Sequence, residues 1–243
     1  CSSDLVMSAS PIAVITGAGS GIGLATARLL ADSGWTIVLA GRREQVLREA
    51  ASTLPAPAGA AHLVVATDVA ERSSCGALIE RTIAAFGRID ALVNNAGHAP
   101  LVPIARHTPE MVREVFAINA IGAADLILAV WPHMSRRKSG RIVNVSSIAT
   151  VDPFPGFFAY AAAKASVELM VKSIAKEGAS AGIRGFAVAP GAVETPMLRS
   201  IIPEKSLPKS KALAPETVAR VIADCVLGAR DGESGRTILV PSP

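Results

Sequence analysis

The chain has 243 residues, half of them hydrophobic and 18% charged, which suits one large domain with a buried core and excludes a disordered chain. A net charge of +4 on scattered basic residues gives no nucleic-acid surface, and the single run Arg136-Arg137-Lys138 lacks interleaved aromatics and reads as a solvated loop. Cys1, Cys75 and Cys225 form no CxxC pair and have no histidine at ligand spacing, so neither a disulfide framework nor a metal site is expected, and a reducing cytoplasm fits. Residues 1–10 read as a flexible extension unlike a secretory signal, because they carry Asp4 and no basic residue. The longest apolar stretch, Ala117 to Trp131, is broken by Asn119 and Asp125 and is too short to span a bilayer, so no membrane partner is expected.

Along the chain, β-branched runs alternate with helical segments. Ile12–Thr16 reads as a strand, followed by glycines and a helix from about Gly21 to Ser33. Thr36–Ala40 is a second strand with a helix from about Glu44 to Thr53, and Pro55 to Gly59 is a loop. Strands at His62–Ala66 and Ile89–Asn94 flank a helix at Arg72–Phe86. Long helices cover Thr108–Trp131 and Phe157–Ser180, with the strand Arg141–Val145 between them. Gly185–Ala189 and Thr237–Val240 end the series, separated by a helix at Glu216–Leu227. Strands buried on both faces read as continuous apolar runs, as these do. The alternation predicts one α/β domain over 11–243, a Rossmann fold whose doubly wound parallel sheet has about seven strands, with helices on both faces.

The turn Thr16-Gly17-Ala18-Gly19-Ser20-Gly21-Ile22-Gly23 lies between the first strand and the first helix. Glycines there permit a tight turn and close approach of a diphosphate, which the helix N-terminus would hold. A Gly-Lys-Ser/Thr ending is missing, which disfavours ATP. At the end of the second strand an acid would bind a free ribose 2′-hydroxyl, whereas arginine suits a 2′-phosphate. Gly41-Arg42-Arg43 stands there, so NADP is favoured over NAD. The competing view is that both arginines merely open an exposed helix.

Tyr160, the only tyrosine, and Lys164 share a helix face. An ammonium beside a phenol favours the phenolate and suits acid–base work. Ser147 follows an apolar strand at the sheet edge where such folds bind ligands. Taken with Asp68-Val69, Asn94-Asn95-Ala96-Gly97, Asn119, Ser146-Ser147, Tyr160-x-x-x-Lys164 and Pro190-Gly191 with Thr195, the turn gives a pattern that resembles the short-chain dehydrogenase/reductase family over nearly the whole chain.

That resemblance implies a hydride transfer between a nicotinamide cofactor and a small carbonyl or secondary alcohol. Tyr160 would give or take the proton, Lys164 would lower its pKa and hold the nicotinamide ribose, and Ser147 would stabilise the reacting oxygen. Asn119 would anchor a relay water, unless it simply bridges a helix irregularity. The cofactor would meet Gly17, Gly19, Ser20, Gly21, Ile22, Gly23, Arg42, Arg43, Asp68, Val69, Asn95, Ala96, Gly97, Tyr160, Lys164, Pro190, Gly191, Val193 and Thr195. Asp68 could instead cap a helix, and Ala189 departs from the asparagine common in relatives. A homo-oligomer, dimer or tetramer, is implied through the two long helices.

Substrate signals are weaker. Phe154, Phe157 and Phe158 either line an apolar pocket or pack beneath the helix, and His98 reads as a loop residue. Residues 196–213 resemble a substrate lid whose Lys205, Lys209 and Lys211 could meet an acidic carrier. This raises a 3-oxoacyl-thioester (acyl carrier protein or CoA) reductase as an alternative. A non-catalytic dinucleotide-binding regulator is the alternative of another class; such relatives tend to lack the tyrosine or the lysine.

Overall fold

The computed structural model describes residues 10–57 and 61–243. The expected N-terminal extension lies outside the described residues but for Ser10, as does part of the expected loop at 55–59. Seven strands, β1 (Ile12–Thr16), β2 (Thr36–Gly41), β3 (Leu63–Ala66), β4 (Ala91–Asn94), β5 (Gly140–Val145), β6 (Ile183–Pro190) and β7 (Thr237–Val240), form one parallel sheet. Its order is β3-β2-β1-β4-β5-β6-β7. The helices are α1 (Gly21–Asp32), α2 (Glu44–Ser52), α3 (Arg72–Phe86), α4 (Pro109–Phe116), α5 (Gly122–Arg137), α6 (Phe158–Gly178), α7 (Pro196–Ile201) and α8 (Pro215–Leu227).

Alternate residues of a strand point to opposite faces, and β1 divides accordingly. Ala13 and Ile15 enter a core with Leu30 of α1, Leu47 of α2 and Ile222 of α8. Ile12 and Val14 enter the other, with Leu78 of α3, Leu126 of α5 and Ile174 of α6. Both faces of the central strands are covered, which is why their sequences show no polar alternation. The strand order reverses between β1 and β4, so the crevice for a ligand opens at the carboxyl ends of these two strands.

Several boundaries differ from the sequence expectation. β3 begins one residue later because His62 turns its ring toward the sheet, where Nδ1 accepts the Ile37 amide proton at 3.1 Å in place of a carbonyl. β6 extends past Gly185 in both directions; a Cβ at Gly185 would lie 2.7 Å from Ile174 Cγ2, so that glycine marks close helix packing rather than a strand start. α5 runs through Pro132 to Arg137. The carbonyl that Pro132 leaves without an amide partner belongs to Leu128, which is 65% exposed. The basic run is consequently not a loop. Arg136 and Arg137 form the last turn of α5, where cations suit the helix dipole, and Arg137 bonds Asp90 at 3.0 Å.

The helical run Pro109–Arg137 is 29 residues long, longer than the stretch Ala117–Trp131 read from the sequence, and apolar enough to cross a membrane by length and composition. Its apolar face lies in the protein core, where Leu126, Ile127, Val130 and Met134 are buried among α3 and the sheet.

Candidate active site

The glycine turn is fixed from β4. The Thr16 hydroxyl oxygen accepts the amides of Asn95 and Ala96, each at 3.0 Å. Asn95 Nδ2 returns to the Thr16 carbonyl at 2.9 Å and lies 3.3 Å from that of Gly17. No side chain fits between them: a Cβ on Gly23 would sit 2.3 Å from the Gly17 oxygen, and Gly17 itself has φ +66. Ser20 occupies the N-cap of α1 without a side-chain capping bond, and Ile22 packs on the core beside Leu24. Gly19 lies against Val46 and Leu47 at the start of α2. A Cβ on Gly21 would be 2.9 Å from Thr195 Cγ2, so the turn and the loop after β6 face each other across a gap that only backbone can line. These cradles, with free amides at a helix start, fit a dinucleotide diphosphate.

Arg42 and Arg43 stand at the carboxyl end of β2. Both are exposed, and neither forms an ion pair among the described residues. Asp68 does not cap α3; its Oδ1 accepts the Ala70 amide at 3.0 Å in a local turn, and Glu71 holds the cap position. Val69 is buried, with Gly122 pressed against its carbonyl. Pro190 ends β6. Gly191 donates to the Val240 carbonyl at 2.9 Å, and Val193 pairs with Leu213 across the base of the 196–213 segment.

The second cluster lies at the ends of β4 and β5. Asn119 sits in a π-helical turn, Ala117–Ile121, between α4 and α5, the kind of helix irregularity often found at functional sites. Its Nδ2 donates to the carbonyls of His98 at 2.7 Å and Val115 at 2.9 Å, and its Oδ1 accepts the His98 amide at 3.1 Å. A Cβ on Gly97 would be 2.9 Å from Asn119 Oδ1 and 3.5 Å from Lys164 Nζ, so this glycine lies between the two side chains. Lys164 is 4% exposed, and its Nζ donates to the Val145 carbonyl at 2.7 Å. Burial pushes its pKa down to about 8.

The lysine Nζ lies 5.9 Å from the centroid of the half-buried Tyr160 ring. Burial raises the phenol above its usual pKa, and hydrogen bonding by Ser147 acts in the opposite, smaller sense. Ser147 caps a short 3₁₀ turn, Ile148–Thr150, accepting the Ala149 amide at 3.2 Å. Beneath the site, Asn94 and Asn144 are partners in register, and Asn94 Nδ2 donates to Asn144 Oδ1 at 2.9 Å.

The aromatic loop faces outward from this cluster. Phe157 packs on Tyr160 with ring centroids 5.1 Å apart, Phe154 meets Phe157 edge-on at 6.4 Å, and Phe154 is 65% exposed. Phe158 turns aside to His107 at 5.6 Å. The Val102 amide bonds the Gly156 carbonyl at 3.0 Å and joins the two loops. His98 is exposed, with its backbone held by Asn119. The expected lid contains α7, which sequence periodicity was too short to reveal; Thr195 caps it by accepting the Leu198 amide at 3.2 Å. Arg199 binds Glu194 and reaches the Leu207 carbonyl at 2.9 Å, while Lys205, Lys209 and Lys211 stay exposed.

Two contributors escaped the sequence reading as side chains. Thr16 was legible only as the start of the turn, although its position at a strand end before glycines was the available signal. Glu168 lies one turn beyond Lys164, and only its partners reveal it.

The chain matches the short chain dehydrogenase family model over residues 11–206. It is 40% identical over 222 residues to the cis-4-hydroxycyclohexanecarboxylate dehydrogenase of Sinomonas cyclohexanicum, covering 88% of each chain. It is 37% identical over 218 residues to a 3-oxoacyl-[acyl-carrier-protein] reductase of Thermotoga maritima, covering 87% of this chain and 88% of the other. Among solved structures, the 3-ketoacyl-(acyl-carrier-protein) reductase of Brucella melitensis complexed with NADH superposes with a TM-score of 0.86 at 30% identity, over 95% of this chain and 96% of that one. A glycine cradle at the sheet's switch point, facing a tyrosine–lysine pair, thus comes with relatedness along most of the chain, which belongs to the short-chain dehydrogenase/reductase family of oxidoreductases.

Proposed function

We propose that the chain moves a hydride between NADP and a small carbonyl or secondary alcohol, with Tyr160 as the acid–base group. The observation that carries this is the convergence of Tyr160, Ser147 and Lys164 at the carboxyl ends of β4 and β5, beside the glycine cradle. Bound nicotinamide supplies or accepts the hydride. In reduction the Tyr160 hydroxyl gives its proton to the substrate oxygen, and in oxidation the phenolate takes one. Ser147 donates to the same oxygen and stabilises developing charge. Lys164, held by the Val145 carbonyl beside Gly97, has further protons for ribose hydroxyls and favours the phenolate once its charge is brought to bear. Both Asn119 amide protons are engaged by carbonyls, so a relay water beside this residue would have to be held by groups other than that NH₂.

Arg42 and Arg43 support NADP over NAD, because two exposed guanidiniums at the end of β2 suit a 2′-phosphate. Titration with NADPH and NADH, followed by cofactor fluorescence, tests this. NADPH should bind more tightly, and Arg42→Ala with Arg43→Ala should remove the difference; tighter NADH binding overturns the assignment.

The three exposed lysines of the 196–213 segment favour one second reading, reduction of a 3-oxoacyl thioester on an acidic carrier. Absence of turnover across a 3-oxoacyl-thioester panel rejects it. We also infer a homo-oligomer: Ile121 and Leu128 on the π turn and α5, and Leu169 with Ala162 and Ala165 on α6, leave exposed apolar side chains on adjacent helices. A monomeric mass in light scattering would contradict it. Cys75 and Cys225 are free and buried, in keeping with a reducing cytoplasm.

A further inference from the structure

Glu168 is one turn beyond Lys164 and two beyond Tyr160, so the three side chains follow one line along α6. Its Oε1 accepts a hydrogen bond from Ser146 Oγ at 2.6 Å and lies 2.9 Å from Thr150 Oγ1. These hydroxyls belong to residues on either side of Ser147. The Ser147 side chain has little support of its own, since Oγ accepts only the Ala149 amide from within its own turn. Its main chain is tied down by its neighbours: the Ser146 amide bonds the Val188 carbonyl at 2.7 Å, and Thr150 Oγ1 lies 2.9 Å from the Ser147 carbonyl. The single Thr150 proton is thus shared between Glu168 and Ser147, which draws the turn closed on both. Hydrogen bonds to a carboxylate are roughly twice as strong as neutral ones.

We propose that Glu168 is a positioning residue for Ser147, its carboxylate clamping the turn after β5 onto the helix that carries Tyr160 and Lys164. The inference rests on the acid–base reading given above, in which Ser147 and Tyr160 meet at one substrate oxygen. Glu168 touches no reacting atom. Its effect is exerted through the flanking hydroxyls, which set the distance between a loop serine and a helix tyrosine. β5 and its turn are also joined to α6 by bonds from Asn144 Nδ2 to the Val167 carbonyl, from Lys164 Nζ to the Val145 carbonyl and from Ser146 Oγ to the Lys164 carbonyl, and Glu168 adds the tie that reaches Thr150 on the far side of Ser147.

Tyr160 is the only tyrosine of the chain, so its ionisation is read directly from tyrosinate absorbance in a pH titration that needs no substrate. Ser147 favours the phenolate by hydrogen bonding, so Ser147→Ala should move the titration upward by about half to one pH unit. Glu168→Leu should move it in the same direction and by most of that amount, and Ser147→Ala added to Glu168→Leu should add little. Glu168→Gln keeps an acceptor oxygen but loses the charge, and should titrate at or slightly below the wild-type value. Removing a carboxylate by itself would lower the phenol pKa, so the sign separates clamping from simple charge loss. A shift with Ser147→Ala and none with Glu168→Leu overturns the clamp, as does an equal upward shift for Gln and Leu. No shift with Ser147→Ala instead overturns the acid–base reading beneath it. Should Glu168→Leu fail to fold by circular dichroism, Ser146→Ala with Thr150→Val removes the donors in place of the acceptor and must give the same upward shift, or the proposal fails.

Discussion

Replacing Gly97 with alanine tests whether the site is as crowded as its geometry shows. The backbone of Gly97 is outside the left-handed region, so an alanine is excluded by space rather than by conformation. Its Cβ would meet Asn119 Oδ1 at 2.9 Å, about half an ångström inside the 3.4 Å at which ordinary contact begins. Asn119 cannot move freely, because it is fixed by two bonds to His98 and one to Val115. Overpacking of this sort costs about 1–3 kcal/mol, which for a domain of this size lowers the melting temperature by roughly 2–12 °C. Displacing Lys164 and the π turn by half an ångström should also lower kcat about tenfold, since positional errors near 1 Å cost about a hundredfold. Gly76 is the control: it lies inside α3, and a Cβ added there would meet nothing within 4 Å, so Gly76→Ala should stabilise by about 0.5–1 kcal/mol. Thermal melts and steady-state turnover on the same preparations read both. If Gly97→Ala melts and turns over like the wild type, the crowding argument is wrong.

Other expectations follow from the same geometry. Tyr160→Phe should abolish turnover while leaving dinucleotide affinity within about twofold, as measured by cofactor fluorescence; retained turnover removes Tyr160 from its role. Burial alone would raise the Asp90 pKa, but bonds from Arg88, the Ile12 amide and Arg137 outweigh it and lower it. The carboxylate therefore stabilises the fold above its unfolded pKa, and this is lost as pH falls through the lower folded value. Asp90→Asn should cost about 1–3 kcal/mol at pH 7, reduced from a fully buried pair because both arginines are about a third exposed. In denaturant melts the gap to the wild type should narrow as pH falls below the ordinary carboxylate range; a constant gap refutes the assignment. For Lys164 the sign is opposite: a folded pKa of about 8 lies below the unfolded one, so burial destabilises the protein below pH 8 and is relieved as pH rises toward the unfolded value. Lys164→Met should raise stability at pH 7 by on the order of 1 kcal/mol, after the loss of the Val145 carbonyl's partner is set against the relief. It should abolish turnover, and the stability gap should shrink by pH 9.5; melts across that range check the sign.

Strand positions and fold class were legible in the chain because burial on both sheet faces forces continuous apolar runs such as Ile12–Thr16, and because such strands need helical crossovers. The glycine turn and the Tyr160–Lys164 pair were legible for a related reason: tight turns and helix faces are local, set by residues within one turn of each other. Boundaries failed where a distant group intervened. His62 left β3 to serve a β2 amide, Gly185 lay within β6 because α6 packs on it, and α5 passed through Pro132 because the carbonyl concerned belongs to an exposed residue. The short α7 carries too few residues for periodicity to register. Only the tertiary structure could decide that Asn119 closes the π turn onto His98, that Gly97 separates Asn119 from Lys164, that burial raises the Tyr160 phenol above its usual pKa, and that Glu168 reaches the hydroxyls beside Ser147. Each depends on partners 18 or more residues apart or on the water excluded around them, and a one-dimensional pattern carries neither distance nor dielectric.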